Sequence, residues 1–176
     1  MEKGLIQVYC GDGKGKTTAA IGQGIRAVGQ GLKVIMIQFL KIPSSGEINV
    51  LKNLEPDFKI FHFERPRRFF WELNEEEKNE LKNDILNGIN FAKKVLDTKE
   101  CDMLILDEIL GVIENSLFEE DELCRILDNK PDEIEIILTG RKVTEKIEER
   151  AHYVSWIQEK KHPFQSGIKA RKGIEY

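Results

Sequence analysis

Apolar residues recur along this chain in short runs that are separated by longer segments of helical periodicity. Runs of four to six residues that are apolar at successive or alternate positions are typical of strands in a buried sheet. The pattern predicts six such strands, at Leu5–Cys10, Val34–Phe39, Phe58–Phe63, Met103–Leu106, Ile134–Thr139 and Tyr153–Ile157. Several of these runs are apolar at odd and even positions alike, which favours a sheet covered on both faces.

Helices are predicted between most of these strands. The spacing favours helices over Thr17–Val28, from about Asn74 onward, over Glu119–Leu127 and over Val143–Arg150. Asn74 with Glu77 forms a weak capping-box signal, and Gly31 is a plausible stop for the first helix. The segment KIPSSGE at 41–47 is predicted to be a loop.

The alternation of strands and helices predicts an α/β fold. We expect a P-loop NTPase-like (RecA-like), mostly parallel sheet of about six strands with helices on both faces, in one nucleotide-binding domain over residues 1–176. In such a sheet ligands bind at the carboxyl ends of the strands. Four segments that follow strands should therefore meet at one edge: Gly11–Thr18, Phe39–Glu47, Asp107–Glu108 and Thr139–Arg141.

Charge and composition limit the classes of partner that this chain is expected to bind. The net charge is −4, which gives no reason to expect nucleic acid or an anionic membrane surface. No apolar run reaches the roughly 20 residues that span a bilayer, and the first residues do not resemble a signal peptide. Cys10, Cys101 and Cys124 are odd in number and widely spaced, which indicates a reducing cytoplasm and neither a disulfide framework nor a zinc site.

The stretch CGDGKGKTT, which begins at Cys10, resembles a phosphate-binding loop that is one residue short. The usual pattern is G-x-x-x-x-G-K-[ST], and Cys10 stands where its first glycine belongs. The stretch still offers flexible backbone donors, a lysine for the phosphates and a hydroxyl for Mg²⁺ at the start of a helix. Its candidate nucleotide contacts are Gly11, Asp12, Gly13, Lys14, Gly15, Lys16, Thr17 and Thr18. The alternative is a glycine-rich turn with solvated lysines.

The segment DMLILDE predicts an acidic partner strand for this loop. Asp107 or Glu108 would hold Mg²⁺ together with Thr17, because hard cations prefer oxygen ligands. Spacing alone does not decide between the two carboxylates. The alternative is a pair that caps a helix.

The segment ERPRRFFWE at 64–72 sets three aromatic residues beside three arginines. Core packing is one interpretation, and a platform for a large flat ligand with acidic groups is the other. The closing stretch KKHPFQSGIKARKGIEY is locally basic. It suggests an anion-binding or partner-binding surface, or simply a solvated one.

Taken together, these motifs resemble those of the P-loop type of ATP:corrinoid adenosyltransferase, nearly from end to end. The shortened loop GDGKGKTT is followed in order by Gln38-Phe39, Lys41 and Gly46-Glu47, then by Phe69, Trp71 and Glu72. LDE, TGR and the closing KHPF..GI.A..GIE complete the resemblance. One stretch departs from it, because the family's AD.VTE appears here without its acidic residues, as Ala151, His152, Val154, Ser155 and Trp156.

The resemblance implies a reaction in which cobalt(I) of a corrinoid attacks the 5′ carbon of ATP and inorganic triphosphate leaves. It implies ATP as co-substrate, with Mg²⁺ (or Mn²⁺), and nucleotide contacts from the loop and Arg141. Lys16 would neutralise the departing triphosphate. The family binds ATP reversed along the loop relative to kinases, which a shorter loop would suit.

The resemblance also gives roles to Phe69 and Trp71. The matching aromatics occupy the lower face of the corrin and exclude its axial ligand, so that cobalt(II) becomes easier to reduce. A flavin-type reductant protein and a homodimer are further expectations. Two other functions stay open on the residues alone, namely a P-loop ATPase or phosphotransferase and a non-catalytic relative that binds a nucleotide or corrinoid.

Overall fold

The computed structural model describes residues 2–41, 46–65 and 72–175. These residues contain one six-stranded sheet, whose strands are β1 (Ile6–Cys10), β2 (Val34–Gln38), β3 (Phe58–His62), β4 (Met103–Asp107), β5 (Glu135–Thr139) and β6 (Tyr153–Trp156). The strand order is β3-β2-β4-β5-β1-β6, and every neighbouring pair is parallel. The predicted parallel α/β sheet is confirmed.

Helices join the strands, as parallel pairing requires. They are α1 (Lys16–Val28), α2 (Gly46–Leu51), α3 (Glu75–Thr98), α4 (Ile109–Glu114), α5 (Glu120–Asp128) and α6 (Glu145–Glu148). Short 3₁₀ turns lie at Lys52–Leu54 and Pro163–Ser166. Within the described ranges, no helix combines the length and the apolar character needed to cross a bilayer.

The central strands of the sheet are buried between two separate apolar layers. α1 and α2 pack on one face, where Met36, Ile105 and Ile137 point. α3, α4, α5 and α6 pack on the other face, against Ile37 and Leu106 among others. Every residue of β2, β4 and β5 is buried, which explains why these strands are apolar at successive positions. Helices on both faces are thereby confirmed.

The start of α3 follows the predicted capping box. The Asn74 side chain accepts a hydrogen bond from the Glu77 N–H at 2.9 Å, and the Glu77 carboxylate accepts one from the Asn74 N–H at 2.8 Å. Such caps contribute about 1 kcal/mol to helix stability. The start of α3 that the capping-box residues predicted is therefore confirmed.

The predicted end of α1 at Val28 is also confirmed, three residues before Gly31. Other helix boundaries differ from the predictions, since α6 is shorter than the predicted Val143–Arg150. The predicted loop at 41–47 is wrong at its end, since α2 begins at Gly46. α4 was not predicted, because its residues ILGVIE form a mostly apolar run without a helical period. These are short elements whose ends are set by tertiary packing, where propensity is a weak guide.

Candidate nucleotide and metal site

The carboxyl edge of the sheet brings together the segments that the sequence predicted to meet there. β2 ends at Gln38, β4 at Asp107, β5 at Thr139 and β1 at Cys10. These four strands are consecutive in the sheet, so their ends lie side by side. The loop that follows Cys10 leads directly into α1.

The loop contains two glycines whose backbone conformation has a positive φ. Gly11 and Gly15 have φ values of +112° and +117°, a region that other residues rarely adopt. Gly15 is also the N-cap of α1 and has no side chain to satisfy the helix's first N–H groups. Such donors at a helix start, together with the helix dipole, favour an anion.

The loop also forms hydrogen bonds with the segments that follow β5 and β6. The Gly11 N–H donates to the carbonyl of Arg141 and the Gly13 N–H to that of Ile157, both at 2.8 Å. A Cβ at position 11 would overlap the Ile157 carbonyl oxygen. The Asp12 carboxylate accepts a hydrogen bond from the Glu159 N–H at 2.9 Å, which lowers the pKa of Asp12. Two loop N–H groups are thus engaged by protein carbonyls, which distinguishes this short loop from a cradle that offers all its donors to phosphate.

Lys16 lies across the loop, where its ammonium group donates to the Gly13 carbonyl at 2.8 Å. Partial burial lowers the pKa of Lys16, an effect that Glu108 opposes and Arg141 reinforces. A cavity of about 360 Å³ adjoins this lysine. Residues of both charges line it, namely Lys14, Lys16 and Arg141 with Asp12 and Glu159, together with His162, Phe164 and Gln165. Lys14, Thr18 and Arg141 are exposed and within reach of a ligand from solvent.

Asp107 is fully buried at the centre of the edge and accepts four hydrogen bonds. Its Oδ1 accepts from the hydroxyls of Thr17 at 2.9 Å and Thr139 at 2.7 Å. Its Oδ2 accepts from the Gln38 amide at 3.0 Å and from the Lys41 ammonium at 2.7 Å. Burial of a carboxylate is costly unless such partners replace the hydrogen bonds that it makes with water.

Glu108, the other candidate carboxylate, has a different environment. Its backbone N–H donates to the Thr139 hydroxyl at 2.8 Å, and its φ of +61° turns the chain into α4. Burial raises the pKa of Glu108, Asp107 raises it further, and Lys41 and Lys16 oppose the rise. No hydrogen bond joins the Glu108 carboxylate to Thr17 in the described part of the chain. The geometry therefore favours Asp107 as the carboxylate that acts with Thr17.

The oxygen atoms here suit a magnesium ion. The Thr17 hydroxyl and Asp107 carboxylate are in direct contact at the start of α1, and both are hard donors. Among residues 2–41, 46–65 and 72–175, no cluster of three or more His, Cys, Asp or Glu side chains could enclose a metal. Mg²⁺ commonly takes only one or two protein ligands and completes its shell with substrate phosphates and water, so Thr17 and Asp107 fit that mode.

Three further residues belong to this site, namely Gln38, Lys41 and His62. The sequence motifs include Gln38 and Lys41 but assign them no role. The His62 Nε2 lies 2.7 Å from the Gln38 amide oxygen. Each follows or ends a strand at the ligand edge, which is the signal that could have singled them out. The predicted corrin contacts Phe69 and Trp71 lie outside the described residues.

The parallel sheet, the glycine loop before α1 and the strand-end carboxylate define a P-loop nucleotide-binding protein. The family model described as ATP:corrinoid adenosyltransferase BtuR/CobO/CobP matches residues 2–176. The chain is 35% identical to a corrinoid adenosyltransferase of Escherichia coli (strain K12), over 99% of this chain and 87% of that protein. It is 34% identical to the corrinoid adenosyltransferase CobA of Salmonella typhimurium, over the same shares of the two chains. This chain therefore belongs to the ATP:corrinoid adenosyltransferase family.

Proposed function

We propose that this protein transfers the 5′-deoxyadenosyl group of ATP to the cobalt(I) of a corrinoid. The electron pair of cobalt(I) forms the cobalt–carbon bond, and the bond between C5′ and its oxygen breaks. That oxygen leaves with the electron pair as part of inorganic triphosphate. The observation that carries the proposal is the family match over residues 2–176. The loop and the Thr17–Asp107 pair supply the nucleotide chemistry that the match requires.

The loop residues Gly11–Thr18 and Arg141 bind the triphosphate in this proposal. The uncapped start of α1 presents N–H groups to it, and Lys16 leaves the Gly13 carbonyl to neutralise the departing charge. Thr17 and Asp107, with Glu108 beside them, hold Mg²⁺ or Mn²⁺. When bound, that ion neutralises charge on the leaving triphosphate. No general base is required, because the nucleophile carries no proton.

We also propose that ATP binds reversed along the loop relative to kinases, which a shorter loop would suit. The terminal phosphates would then face the cavity beside Lys14 and Arg141, which adjoins the polypeptide that follows β6.

Several further features of the protein belong to the proposal. We propose a homodimer in the cytoplasm that receives cobalt(II) corrinoid, with a flavin-type protein as reductant. Phe69 and Trp71 would occupy the lower corrin face and exclude the axial ligand. We further propose that residues 1–176 form a single domain, and we expect neither nucleic acid nor a membrane as partner.

One anaerobic experiment tests the function. The protein is mixed with chemically reduced cob(I)alamin and MgATP, and the cobalt–carbon spectrum and phosphate products are followed. Adenosylcobalamin with equimolar triphosphate is expected. ADP and phosphate without a cobalt–carbon product would replace this function with an ordinary ATPase, and binding of both ligands without turnover would indicate a non-catalytic relative.

A further inference from the structure

Lys41 lies where a cation bound by Thr17 and Asp107 would have to lie. Its Nζ is 2.8 Å from the Thr17 hydroxyl oxygen and 2.7 Å from Asp107 Oδ2. The remaining approaches to the buried carboxylate are taken by Thr139 and Gln38. Mg²⁺ binds oxygen at about 2.1 Å, so an ion that takes both oxygens cannot share them with the ammonium group.

The backbone before Lys41 aims this side chain at the pair. Leu40 has a φ of +54°, a left-handed conformation that is unfavourable for a residue other than glycine. The Leu40 N–H donates to both carboxylate oxygens of Glu64, at 2.8 and 2.9 Å. Phe39, one residue earlier, donates its N–H to the Asp107 carbonyl at 3.0 Å. A strained residue held from two sides indicates a required position and not an incidental surface contact.

The energetics explain why an ammonium group stands there. Asp107 is fully buried, whereas the Lys41 side chain is 29% exposed. A buried carboxylate without a counter-charge is costly, and Lys41 compensates its charge. Because the lysine has a long flexible stem and open solvent on one side, it can leave when a stronger cation arrives. The triphosphate on the neighbouring loop would then be the nearest anion.

We propose that Lys41 is a positioning residue that competes with the divalent metal for Thr17 and Asp107. It holds the two oxygens together before MgATP binds and yields them to the metal. This inference rests on the metal role given to Thr17 and Asp107 in the proposed function. It predicts that removing the ammonium group strengthens metal binding in the absence of nucleotide, which a lysine that only binds phosphate would not do.

The test measures Mn²⁺ affinity by electron paramagnetic resonance, without nucleotide or corrinoid. Lys41→Met should bind Mn²⁺ about tenfold more tightly than the unaltered protein, since a unit charge at contact distance is removed. Lys59→Met is the matched control, because it removes an exposed positive charge on β3 and should leave the affinity unchanged. Unchanged or weaker Mn²⁺ binding by Lys41→Met would overturn the inference.

Two further variants keep the result interpretable. Lys41→Gln retains a neutral donor toward Asp107 and should show the same gain if Lys41→Met does not fold. Adding Asp107→Asn to either variant should abolish the gain, and persistence of the gain would place the ion elsewhere and overturn the inference. Because no transfer reaction is measured, failure of the adenosyltransferase assay and failure of this competition are distinguishable.

Discussion

Asp107 is the residue on which the proposed site depends most. It is fully buried and accepts from two hydroxyls, an amide and an ammonium group. Asp107→Asn would turn one acceptor into a donor that faces other donors. We expect a loss of about 1–3 kcal/mol in the free energy of unfolding, the cost of leaving buried polar groups unpaired. Urea unfolding without metal measures it.

Asp97→Asn is the control for this change, because Asp97 is exposed on α3. Exposed substitutions usually change stability by less than about 0.5 kcal/mol. If the two variants lost equal stability, the four hydrogen bonds at Asp107 would not contribute as described.

Trp71 allows a second test at the scale of a single residue. If its ring excludes the axial ligand, Trp71→Ala should impair activity that starts from cob(II)alamin with a reductase more than activity from pre-reduced cob(I)alamin. The two rates are compared in the same anaerobic assay. Trp156→Ala, which removes the exposed tryptophan of β6, should affect neither rate. Equal losses for Trp71→Ala in both assays would contradict the ligand-exclusion role.

At the scale of elements, the central feature is the attachment of the loop to the polypeptide after β6. Gly13 and Asp12 bind the backbone of Ile157 and Glu159, so movement of that segment would move the loop. Gly11 permits the close approach, since a side chain there would meet the Ile157 carbonyl. This loop is one residue shorter than the usual motif. Its position depends on contacts with Ile157 and Glu159, near the end of the chain.

Gly11→Ala should therefore disturb both stability and nucleotide binding. We expect about 1–3 kcal/mol of destabilisation, from an unfavourable φ and the clash with Ile157, and weaker ATP binding by calorimetry. Gly22→Ala is the matched control in the neighbouring helix, where an added Cβ meets no atom within 4 Å. It should stabilise the protein by about 0.5–1 kcal/mol through helix propensity. The prediction fails if both substitutions change stability in the same direction.

For the whole molecule, one of the two apolar layers contains all three cysteines. Cys10, Cys101 and Cys124 are buried, and burial raises the pKa of Cys101 to about 12. The folded protein therefore binds this thiol's proton more tightly than the unfolded chain does. The stability that follows is fully present below the ordinary pKa of 9.0 and is lost as pH rises from there to about 12.

This burial predicts slow thiol chemistry. At pH 8 the folded protein should react with a thiol reagent such as dithionitrobenzoate many times more slowly than the protein in denaturant, because the thiols are protonated and enclosed. The release of thionitrobenzoate measures the rate. Rapid reaction of even one cysteine in the folded state would show that a core layer opens readily.

Most of the fold could be predicted from local patterns in the sequence. Strand positions followed from apolar runs, and the start of α3 followed from Asn74 and Glu77, because these signals are local. The phosphate-binding loop, with its glycines, Lys16 and Thr17, could likewise be predicted from one short stretch of sequence. Short elements such as α4 and α6 were missed or misplaced, since their limits depend on what they pack against.

The grouping of side chains at the site, in contrast, depends on how distant segments of the chain pack together. Thr17 and Asp107 are 90 positions apart in the chain, and spacing left Asp107 and Glu108 equivalent. Strand order places β4 beside β2, and this brings Gln38 and Lys41 to Asp107 as well. The attachment of the loop to Ile157 and Glu159 arose in the same way, because β6 pairs with β1. Such contacts depend on long-range strand pairing, which a local residue pattern does not encode.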